Sequence, residues 1–386
     1  MATTICIKKA SNTGVYKAIK TCFDEIAQNS FFSDVRKVLI KPNWVNSSHA
    51  DSGVTTDLLM VSSLIEVLKE RGVEEVWVGE SSLRNTQEVF DSLDVCQLEK
   101  FGASIINFDE NQWVKVTSPL PLVLDRFYVP ETVLDCDLII SAAKMKTHCL
   151  TGATLSVKNF LGLVTRRDRR VGHKTDINKA IVEIYAYFLK SKKILAFIDG
   201  MYALEGKLGP TTGTPVKMDL VIAGNDAVAA DATCVEIMGY NASKIRHLAL
   251  SEKLGLGEIK DRKIAGEQVR SIRRIFDMPS EEPITSNLIP YLKKLFKRKP
   301  YLRYEEKCIR CGICANACPR ECITIKEGSF RINYDMCISC LVCCESCLQG
   351  ALDYEISHSS IYKNLKLLEN TYSKLKQTLI GDGNGQ

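Results

Sequence analysis

The sequence lacks several patterns that define well-known functional classes. Among its 386 residues, no apolar run reaches the roughly 18 residues that a membrane-spanning helix needs. The phosphate loop G-x-x-x-x-G-K-[ST] is missing, which argues against ATP hydrolysis by that mechanism. No G-x-G-x-x-G follows a strand-like segment, so the nicotinamide fingerprint is missing too, and no G-x-S-x-G nucleophile elbow occurs. No flavin motif is visible, and whether a flavin binds stays open.

A strong excess of charge of one sign is also missing. The 51 Lys and Arg residues against 46 Asp and Glu residues leave a formal charge of +5, which is too small to indicate nucleic-acid binding. The N-terminal segment MATTICIKK lacks the apolar core of a secretory signal. Because 16 cysteines without such a signal are typical of a reducing compartment, we expect a cytoplasmic protein.

Cysteine is what the chain does contain, and eight of the cysteines form two runs with the same C-x2-C-x2-C-x3-C spacing. The runs are Cys308, Cys311, Cys314 and Cys318, followed by Cys337, Cys340, Cys343 and Cys347. The second run lies 29 residues after the first at every position, so the two form an internal repeat. This spacing is typical of the thiolate ligands of [4Fe–4S] clusters in bacterial two-cluster ferredoxins.

The spacing also predicts how the thiolates are shared. Three close cysteines wrap one corner of a cluster, and the fourth ligand comes from the other run. One predicted cluster is held by Cys308, Cys311, Cys314 and Cys347. The other is held by Cys337, Cys340, Cys343 and Cys318. Pro319 follows the first run but Leu348 follows the second, which weakens a turn without removing a ligand.

Zinc and disulfides are the alternatives for these runs. Zinc sites usually show two C-x2-C pairs with a longer spacer, and disulfides need an oxidising compartment. Two further cysteines, Cys322 and Cys344, lie out of register for ligation, and we expect them to be packing residues. Most of the scattered cysteines are expected to be small core residues; they are Cys6, Cys22, Cys96, Cys136, Cys149 and Cys234.

Residues 1–270 alternate strand-like and helix-like segments. This predicts an α/β domain with a mostly parallel open sheet and flanking helices. Strands are expected at 35–40, 75–79, 103–108, 136–142, 194–198 and 220–223, and helices at 57–71, 86–101, 176–189 and 227–238. Thr55 or Thr56 is expected to cap the helix at 57–71. The proline-containing segment 114–129 is expected to be a β-hairpin or an insertion.

The pattern changes after the α/β domain. Residues 271–300 are predicted to be a linker with a short basic helix at 291–299. The cysteine runs define a small α+β ferredoxin-like domain with two clusters at 301–356. Residues 357–386 are expected to form a C-terminal helix, at 360–379, and a disordered tail.

Polar residues gather just past the ends of the predicted strands. Ligands bind outside the carboxyl ends of the strands in an open α/β sheet, so we expect these residues to meet at one edge. The predicted substrate-binding residues are Lys41, Asn43, Lys144, Thr151, Lys158 and Asn159. The predicted catalytic residues are His148, Lys146, Asp199 and Glu205.

The segment 144–159 is the richest of these places. A Thr-Gly turn at 151–152 ahead of a helix is expected to expose backbone N–H groups, which favour an anion. Lys144, Lys146 and Lys158 would add positive charge. The segment therefore predicts a carboxylate or phosphate ligand. The alternative for any single lysine is a solvated surface charge.

His148 is the predicted general acid or base, and Asp199 or Glu205 is expected to orient it. A lone histidine is more often structural than catalytic, and that alternative stays open. The basic segment 166–174 is predicted to be a mobile loop over the site, or a plain exposed loop.

These segments together resemble the uncharacterised domain-of-unknown-function family 362, in the form fused to a C-terminal two-cluster ferredoxin domain. The matching pieces are KPN at 41–43, GES at 79–81, K-x-K-T-H at 144–148, TGATLSVKNFLG at 151–162, EGKLGP at 205–210 and GNDAVAAD at 224–231. The chain departs from the family at 54–57, where VTTD stands in place of a T-x-P-like turn. The resemblance implies an architecture and a shared polar site, but no substrate.

Taken together, these patterns predict an iron–sulfur oxidoreductase. It would pass electrons through two [4Fe–4S] clusters to an anionic small molecule in the α/β domain. Two alternatives stay open. One is a redox-linked module that binds a ligand or partner, and the other is an electron carrier whose α/β domain docks a partner enzyme. The expected partners are a small anionic molecule and an electron donor or acceptor protein. Substrate, direction of electron flow and oligomeric state stay open.

Overall fold

The computed structural model describes residues 2–83, 85–279, 297–326, 328–347 and 349–357. The chain divides into two compact units, Met1–Pro279 and Ser280–Gln386. Most of the predicted linker, together with the predicted C-terminal helix and tail, lies outside the described residues. Within the described part of the chain, no helix is long and apolar enough to span a membrane.

The N-terminal unit is built around a nine-stranded sheet. The strands described in this unit are β1 (Thr4–Lys9), β2 (Lys37–Pro42), β3 (Glu75–Glu80), β4 (Ala103–Asn107), β5 (Trp113–Thr117), β6 (Arg126–Pro130), β7 (Leu138–His148), β8 (Gly152–Thr154), β9 (Lys193–Glu205), β10 (Thr214–Gly224) and β11 (Lys263–Gly266). The order in the sheet is β11-β1-β10-β9-β7-β2-β3-β4, with β8 paired to β7. Strands β4, β3, β2, β7 and β9 are parallel, and β10 is antiparallel to both of its neighbours. The predicted mostly parallel sheet is confirmed.

Strands β5 and β6 pair with each other outside this sheet. They confirm the hairpin predicted from the proline-containing segment. Among the scattered cysteines, five are buried and Cys96 is exposed, which confirms that most of them are core residues.

Helices flank the sheet in the order expected from the sequence. They are α1 (Ala10–Thr13), α2 (Val15–Ile26), α3 (Leu58–Glu70), α4 (Thr86–Leu93), α5 (Glu131–Asp135), α6 (Ser156–Asn159), α7 (Arg166–Lys174), α8 (Ile177–Ser191), α9 (Ala227–Ile237), α10 (Arg246–Lys253) and α11 (Val269–Ile272). The structure confirms the helices predicted at 57–71, 176–189 and 227–238. The helix predicted at 86–101 ends early, because Asp94 has a left-handed backbone (φ 53°) and the 3-10 helix Val95–Phe101 follows it.

The cap of α3 differs from the predicted one. Asp57 is the N-cap residue, and its carboxylate accepts a backbone hydrogen bond of 2.9 Å from the first turn. The two predicted caps have other partners. The hydroxyl of Thr55 donates to the carbonyl of Ser48 at 2.6 Å. The hydroxyl of Thr56 donates to the carbonyl of Ala142 at 2.8 Å, which ties this turn to β7.

Apolar residues cover the sheet on both faces. In β2, Leu39 belongs to one apolar cluster, whereas Val38 and Ile40 belong to a second cluster on the opposite face. This division follows from the two-residue period of a strand, and it explains why the strand reads as a continuous hydrophobic run.

Two strands are longer than the sequence predicts. β7 continues to His148 and β9 continues to Glu205, although both were expected to end before their polar residues. The extension of β7 is held by antiparallel pairing to β8 and by pairing of Lys146 with Leu204 in β9. Polar residues that were expected in loops therefore lie inside the sheet.

The C-terminal unit is small and is built from short elements. Its described elements are β12 (Arg298–Leu302), α12 (Ile313–Ala317), β13 (Ile323–Lys326), β14 (Ser329–Ile332), α13 (Val342–Glu345) and β15 (Leu352–Ile356). β12 pairs antiparallel with β15, and β13 pairs antiparallel with β14.

The cysteine repeat is also a repeat of backbone structure. α13 and β15 begin 29 residues after α12 and β13. Arg310 and Ser339, at equivalent positions, are both left-handed, with φ of 56° and 59°. Gly312 and Leu341, the next equivalent pair, are left-handed too, with φ of 78° and 54°. Each C-x2-C segment therefore turns in the same way.

The predicted basic helix at 291–299 is wrong at its C-terminal end. Arg298 and Lys299 begin β12, where their backbones pair with Ile356 and Glu355. Proline at the next position disfavours a helical conformation for Lys299, which explains the extended backbone. Residues 291–296 lie outside the described residues.

Candidate functional site

Two lysine–carboxylate pairs lie buried in the carboxyl halves of the parallel strands. In the first pair, Lys144 of β7 lies opposite Asp199 of β9, with 2.9 Å between Nζ and Oδ2. Both side chains are fully buried. Asp199 also accepts hydrogen bonds from the backbone N–H groups of Asp57 and Met201, at 2.8 and 2.9 Å. Three donors therefore compensate this buried carboxylate.

The second pair joins β2 to β3. Nζ of Lys41 lies 2.7 Å from Oε2 of Glu80, and both side chains are buried. Burial lowers the pKa of Lys41, and the neighbouring Glu80 carboxylate opposes that shift. Asn159 donates to the carbonyl of Lys41 at 2.8 Å and accepts from Asn43 at 3.2 Å. A Cβ atom on Gly162 would lie 2.9 Å from Nζ of Lys41, so a larger residue there would have to displace the end of the Lys41 side chain.

Lys146 and His148 follow Lys144 along β7 but have different partners. Nζ of Lys146 donates to a backbone carbonyl of the loop before α3, at 2.7 Å. Nδ1 of His148 accepts from the N–H groups of Leu150 and Thr151, at 3.1 and 3.3 Å. Burial lowers the pKa of His148 well below its usual range, and the charge of Lys158 adds to the shift. The ring is therefore neutral near pH 7, with its proton on Nε2.

Three histidines, His148, His173 and His247, lie close enough to Lys158 for its charge to act on them, and we call these four residues the basic cluster. The charge of Lys158 lowers the pKa of each histidine in addition to burial. His247 is 1% exposed, and burial lowers its pKa to about 3. Among the described residues, Nδ1 of His173 and Nδ1 of His247 have no hydrogen-bond partner.

The basic cluster is assembled by helix packing rather than by sequence proximity. His173 comes from α7 and His247 from α10, and both helices pack on α8, which in turn contacts α6 with Lys158. His247 is not among the predicted site residues, because a lone histidine in a short helix carries no functional signal. Its place beside Lys158 becomes visible only from the packing of α10 on α8.

The N-terminus of α6 does not offer its N–H groups to a ligand, contrary to the prediction. The carboxylate of Asp231 accepts from the N–H groups of Ser156 and Val157, at 2.7 and 2.8 Å. Burial raises the pKa of Asp231 to about 8. The hydroxyl of Thr151 donates to the carbonyl of Ala153 at 3.1 Å. The groups expected to bind an anion here therefore already have partners within the chain.

The two predicted orienting carboxylates hold other groups. Asp199 is held by Lys144, as described above. Glu205 pairs with Arg274 at 3.2 Å and accepts from the N–H group of Asp277 at 3.1 Å. Both carboxylates therefore have partners other than His148, and their predicted role in orienting His148 stays a prediction.

The basic segment predicted to be a mobile loop is the helix α7. The hydroxyl of Thr165 caps it by accepting from the backbone N–H group of Asp168. Arg169 donates to the carbonyl of Ser81 at 2.9 Å, and Arg166 lies 2.6 Å from Asp109. The arginines therefore attach this helix to the segments that follow β3 and β4.

The eight repeat cysteines line two separate cavities of the C-terminal unit. Cavity 1 is lined by Cys308, Cys311, Cys314 and Cys347. Cavity 2 is lined by Cys318, Cys337, Cys340 and Cys343. This division coincides with the one expected from the repeat spacing.

Both cavities fit the donor set of an iron–sulfur cluster. Each brings four thiols together between walls that are mostly apolar, with Ile313 and Phe330 in cavity 1 and Ile323 and Leu341 in cavity 2. Four thiolates are the ligands of a [4Fe–4S] centre, and soft sulfur donors select such clusters. Cys322 lines cavity 2 as a fifth thiol.

An α/β unit with a buried polar centre, followed by a small unit with a repeated thiol-lined cavity, defines an α/β protein with an iron–sulfur domain. Residues 302–324 match the 4Fe-4S binding domain family, so the chain carries such a domain. Residues 38–236 match the family described as Domain of unknown function (DUF362). This match covers more than half of the chain, and the chain belongs to that family.

Three comparisons with individual proteins add to this. The chain is 24% identical over 228 residues to a thylakoid-associated protein of Synechocystis sp., covering 57% of this chain and 68% of that protein. Over 48 residues it is 42% identical to pyruvate synthase subunit PorD of Methanocaldococcus jannaschii, covering 12% of this chain and 56% of that subunit. The lactate racemase apoprotein from Thermoanaerobacterium thermosaccharolyticum is similar at a TM-score of 0.40 and 12% identity, covering 61% of this chain and 56% of that one. The matches thus span little more than half of the PorD subunit and of the racemase chain.

Proposed function

We propose that this protein is a cytoplasmic iron–sulfur oxidoreductase that passes electrons through two [4Fe–4S] clusters to an anionic small molecule bound in the N-terminal unit. The observation that carries the proposal is the division of eight thiols between two cavities with the same donor set. The match to 4Fe-4S binding domains and the similarity to PorD support it.

The ligands of the two clusters would be the four repeat cysteines of cavity 1 and the four of cavity 2. When bound, such clusters supply one-electron transfer at potentials set by hydrogen bonds to the sulfurs and by solvent exposure. The chain itself keeps the thiols in two groups through its repeated left-handed turns, and its apolar walls limit the access of water.

The basic cluster is the part of the N-terminal unit that suits an anion. Lys144 and Lys41 are each compensated by a carboxylate, so we assign them to holding the strand ends together. Lys158 acts on all three histidines of the cluster. Neutral imidazoles beside one lysine donate N–H groups to an anion without adding buried charge. A carboxylate or phosphate group matches this set of donors.

His148 is assigned to hydrogen bonding with the substrate. Two backbone N–H groups fix its Nδ1, so the neutral ring donates a hydrogen bond from Nε2–H to the oxygen on which negative charge builds as the substrate is reduced. Lys146 and Thr151, which flank it, would position the ring and the substrate.

Anaerobic purification with iron and sulfide analysis tests the electron-transfer part. Two clusters require about eight iron and eight sulfide ions per chain. About four of each would contradict the two-cluster proposal. Mass spectrometry of the released small molecules would identify any bound ligand in the same sample.

Thermal unfolding of the intact protein tests the anion site. Inorganic phosphate and a series of mono- and dicarboxylates serve as probes, since a ligand that binds only the folded state raises the unfolding temperature. Lys158→Ala should remove the stabilisation. Lys190→Ala, an exposed lysine at the end of α8, should keep it. Equal stabilisation of both variants would contradict the assignment.

The similarity to a pyruvate synthase subunit favours a second candidate, an electron carrier whose N-terminal unit docks a partner enzyme. The two candidates differ in a single-turnover experiment on the chemically reduced protein. Reoxidation by one of the probe anions alone supports the oxidoreductase. Anion binding without any reoxidation supports a carrier or a redox-linked binding module.

A further inference from the structure

The two thiol cavities differ at one equivalent position of the repeat. Cys322 lies in cavity 2, and the residue 29 positions later, Ala351, lies in cavity 1. Cavity 2 therefore contains five sulfur atoms, whereas cavity 1 contains four. A single cluster takes four thiolates, so one thiol of cavity 2 is surplus to ligation.

The fold holds Cys322 against one of the expected ligands. Its Sγ lies 3.3 Å from Sγ of Cys318, and Cys322 is 5% exposed. Between the two, Glu321 has a left-handed backbone with φ of 52°, which turns the chain back toward the cavity. The carbonyl of Cys322 accepts from the N–H group of Asn333 at 2.8 Å. The surplus thiol is thus fixed by its backbone.

Either sulfur of this contact could be the hydrogen-bond donor, but only one of them can donate once Cys318 binds iron. Cys318 is then a thiolate and accepts only, while a cysteine that binds no metal keeps its proton near neutral pH. The S–H group of Cys322 is therefore the donor. A hydrogen bond to a ligand sulfur draws electron density away from the cluster and favours its reduced, more negative state.

Cavity 1 has hydrogen-bond donors of a different kind. Sγ of Cys347 accepts from the backbone N–H group of Ala351 at 3.3 Å. Sγ of Cys308 lies 3.5 Å from Nη1 of Arg310, whose equivalent in the repeat is Ser339. Each cavity offers four repeat cysteines as ligands, but the two cavities differ in the groups that donate hydrogen bonds to the sulfurs.

We propose that Cys322 is a positioning residue that raises the reduction potential of the cavity 2 cluster by donating its S–H group to the sulfur of Cys318. The inference rests on the proposed function, because it requires a cluster in cavity 2. The two clusters would then have different reduction potentials. A single electron would reside mainly on the cavity 2 cluster and would not be divided evenly between the two.

Redox titration followed by electron paramagnetic resonance tests this on the intact protein. Cys322→Ala introduces the residue that the other half of the repeat has at this position, Ala351. It should lower the reduction potential of the cavity 2 cluster and leave that of the cavity 1 cluster unchanged. At the original midpoint we expect the ratio of reduced to oxidised cluster to fall about tenfold, which corresponds to about 59 mV for one electron. Cys322→Ser keeps a donor and should restore most of the shift.

The reciprocal variant Ala351→Cys is the matched control. It adds a thiol to cavity 1 and should raise the potential of the other cluster. Unchanged potentials in Cys322→Ala would overturn the proposal. Loss of a cluster in that variant would overturn it as well, because Cys322 would then be a ligand. Wild-type protein without a cluster in cavity 2 would instead contradict the proposed function.

Discussion

The N-terminal and C-terminal units place their reactive groups in opposite ways. In the C-terminal unit, three of the four repeat thiols in each cavity come from one short C-x2-C-x2-C segment, and the repeat spacing alone predicts that the other run supplies the fourth. In the N-terminal unit, Lys144 meets Asp199 and Lys41 meets Glu80 across neighbouring strands, far apart in the sequence. The comparison teaches that spacing identifies a site when short loops build it. A site built by strand register and helix packing needs the fold.

The largest expected effect tests whether the two thiol cavities are independent. Cys311→Ser removes one ligand of cavity 1, so the cluster there should be lost while the cavity 2 cluster remains. Iron per chain should then fall by about half. Cys96→Ser, which changes an exposed cysteine outside the repeat, should leave iron unchanged. Loss of all iron in Cys311→Ser would show that the two halves of the repeat form a single site.

The second effect tests how strongly the N-terminal unit depends on its buried pairs. Lys144→Met leaves the Asp199 carboxylate buried without its cation, and we expect a loss of about 3–5 kcal/mol in the free energy of unfolding. The double variant with Asp199→Asn should recover part of that loss. Urea unfolding measures both.

The exposed pair between Lys20 and Glu70 is the matched control for that experiment. Its atoms are 2.8 Å apart, as close as in the buried pair, but the side chains are 48% and 46% exposed. Lys20→Met should change stability little, because solvent screens the pair. A similar loss in both variants would mean that burial is not what makes the Lys144 pair important.

The third effect is a pH dependence that His247 contributes. The pKa of His247 is about 3 in the folded protein, below the usual value of about 6.5 for an unfolded chain. Between about pH 3 and about pH 6.5, His247 therefore binds a proton in the unfolded state but not in the folded state. The free energy of unfolding should fall as the pH falls from about 6.5 toward 3. The expected slope is about 1.4 kcal/mol per pH unit. Urea unfolding at several pH values should show a shallower slope for His247→Gln, and an equal slope would contradict this assignment.

The smallest effect concerns the Arg310 contact in cavity 1. Arg310→Ser copies the equivalent residue of the other repeat and removes a cation 3.5 Å from the sulfur of Cys308. The guanidinium also pairs with Glu305 and keeps some solvent exposure, so its influence should be modest. We expect a lower potential for the cavity 1 cluster, with a smaller shift than in Cys322→Ala. A larger shift would make Arg310 the main difference between the cavities.

The sequence predicts the C-terminal unit well and the N-terminal unit in part. The parallel sheet, its main helices and the β5–β6 hairpin follow from periodicity, because burial on one or both faces leaves a regular pattern. The extensions of β7 and β9 do not follow, since polar residues that are compensated across strands look like loop residues. The role of Asp231 and the presence of His247 in the basic cluster depend on tertiary packing, which no local pattern records.

The equivalent positions of Gly312 and Leu341 bear on how long each of the two proposed clusters would survive in air. Leu341 is 1% exposed and forms part of the wall of cavity 2, whereas glycine supplies no side chain to close cavity 1, where Cys311 is exposed. We therefore expect oxygen and chelators to reach the sulfurs of cavity 1 more easily than those of cavity 2. In air the protein should lose its clusters one after the other, through a form that keeps only the cluster in cavity 2.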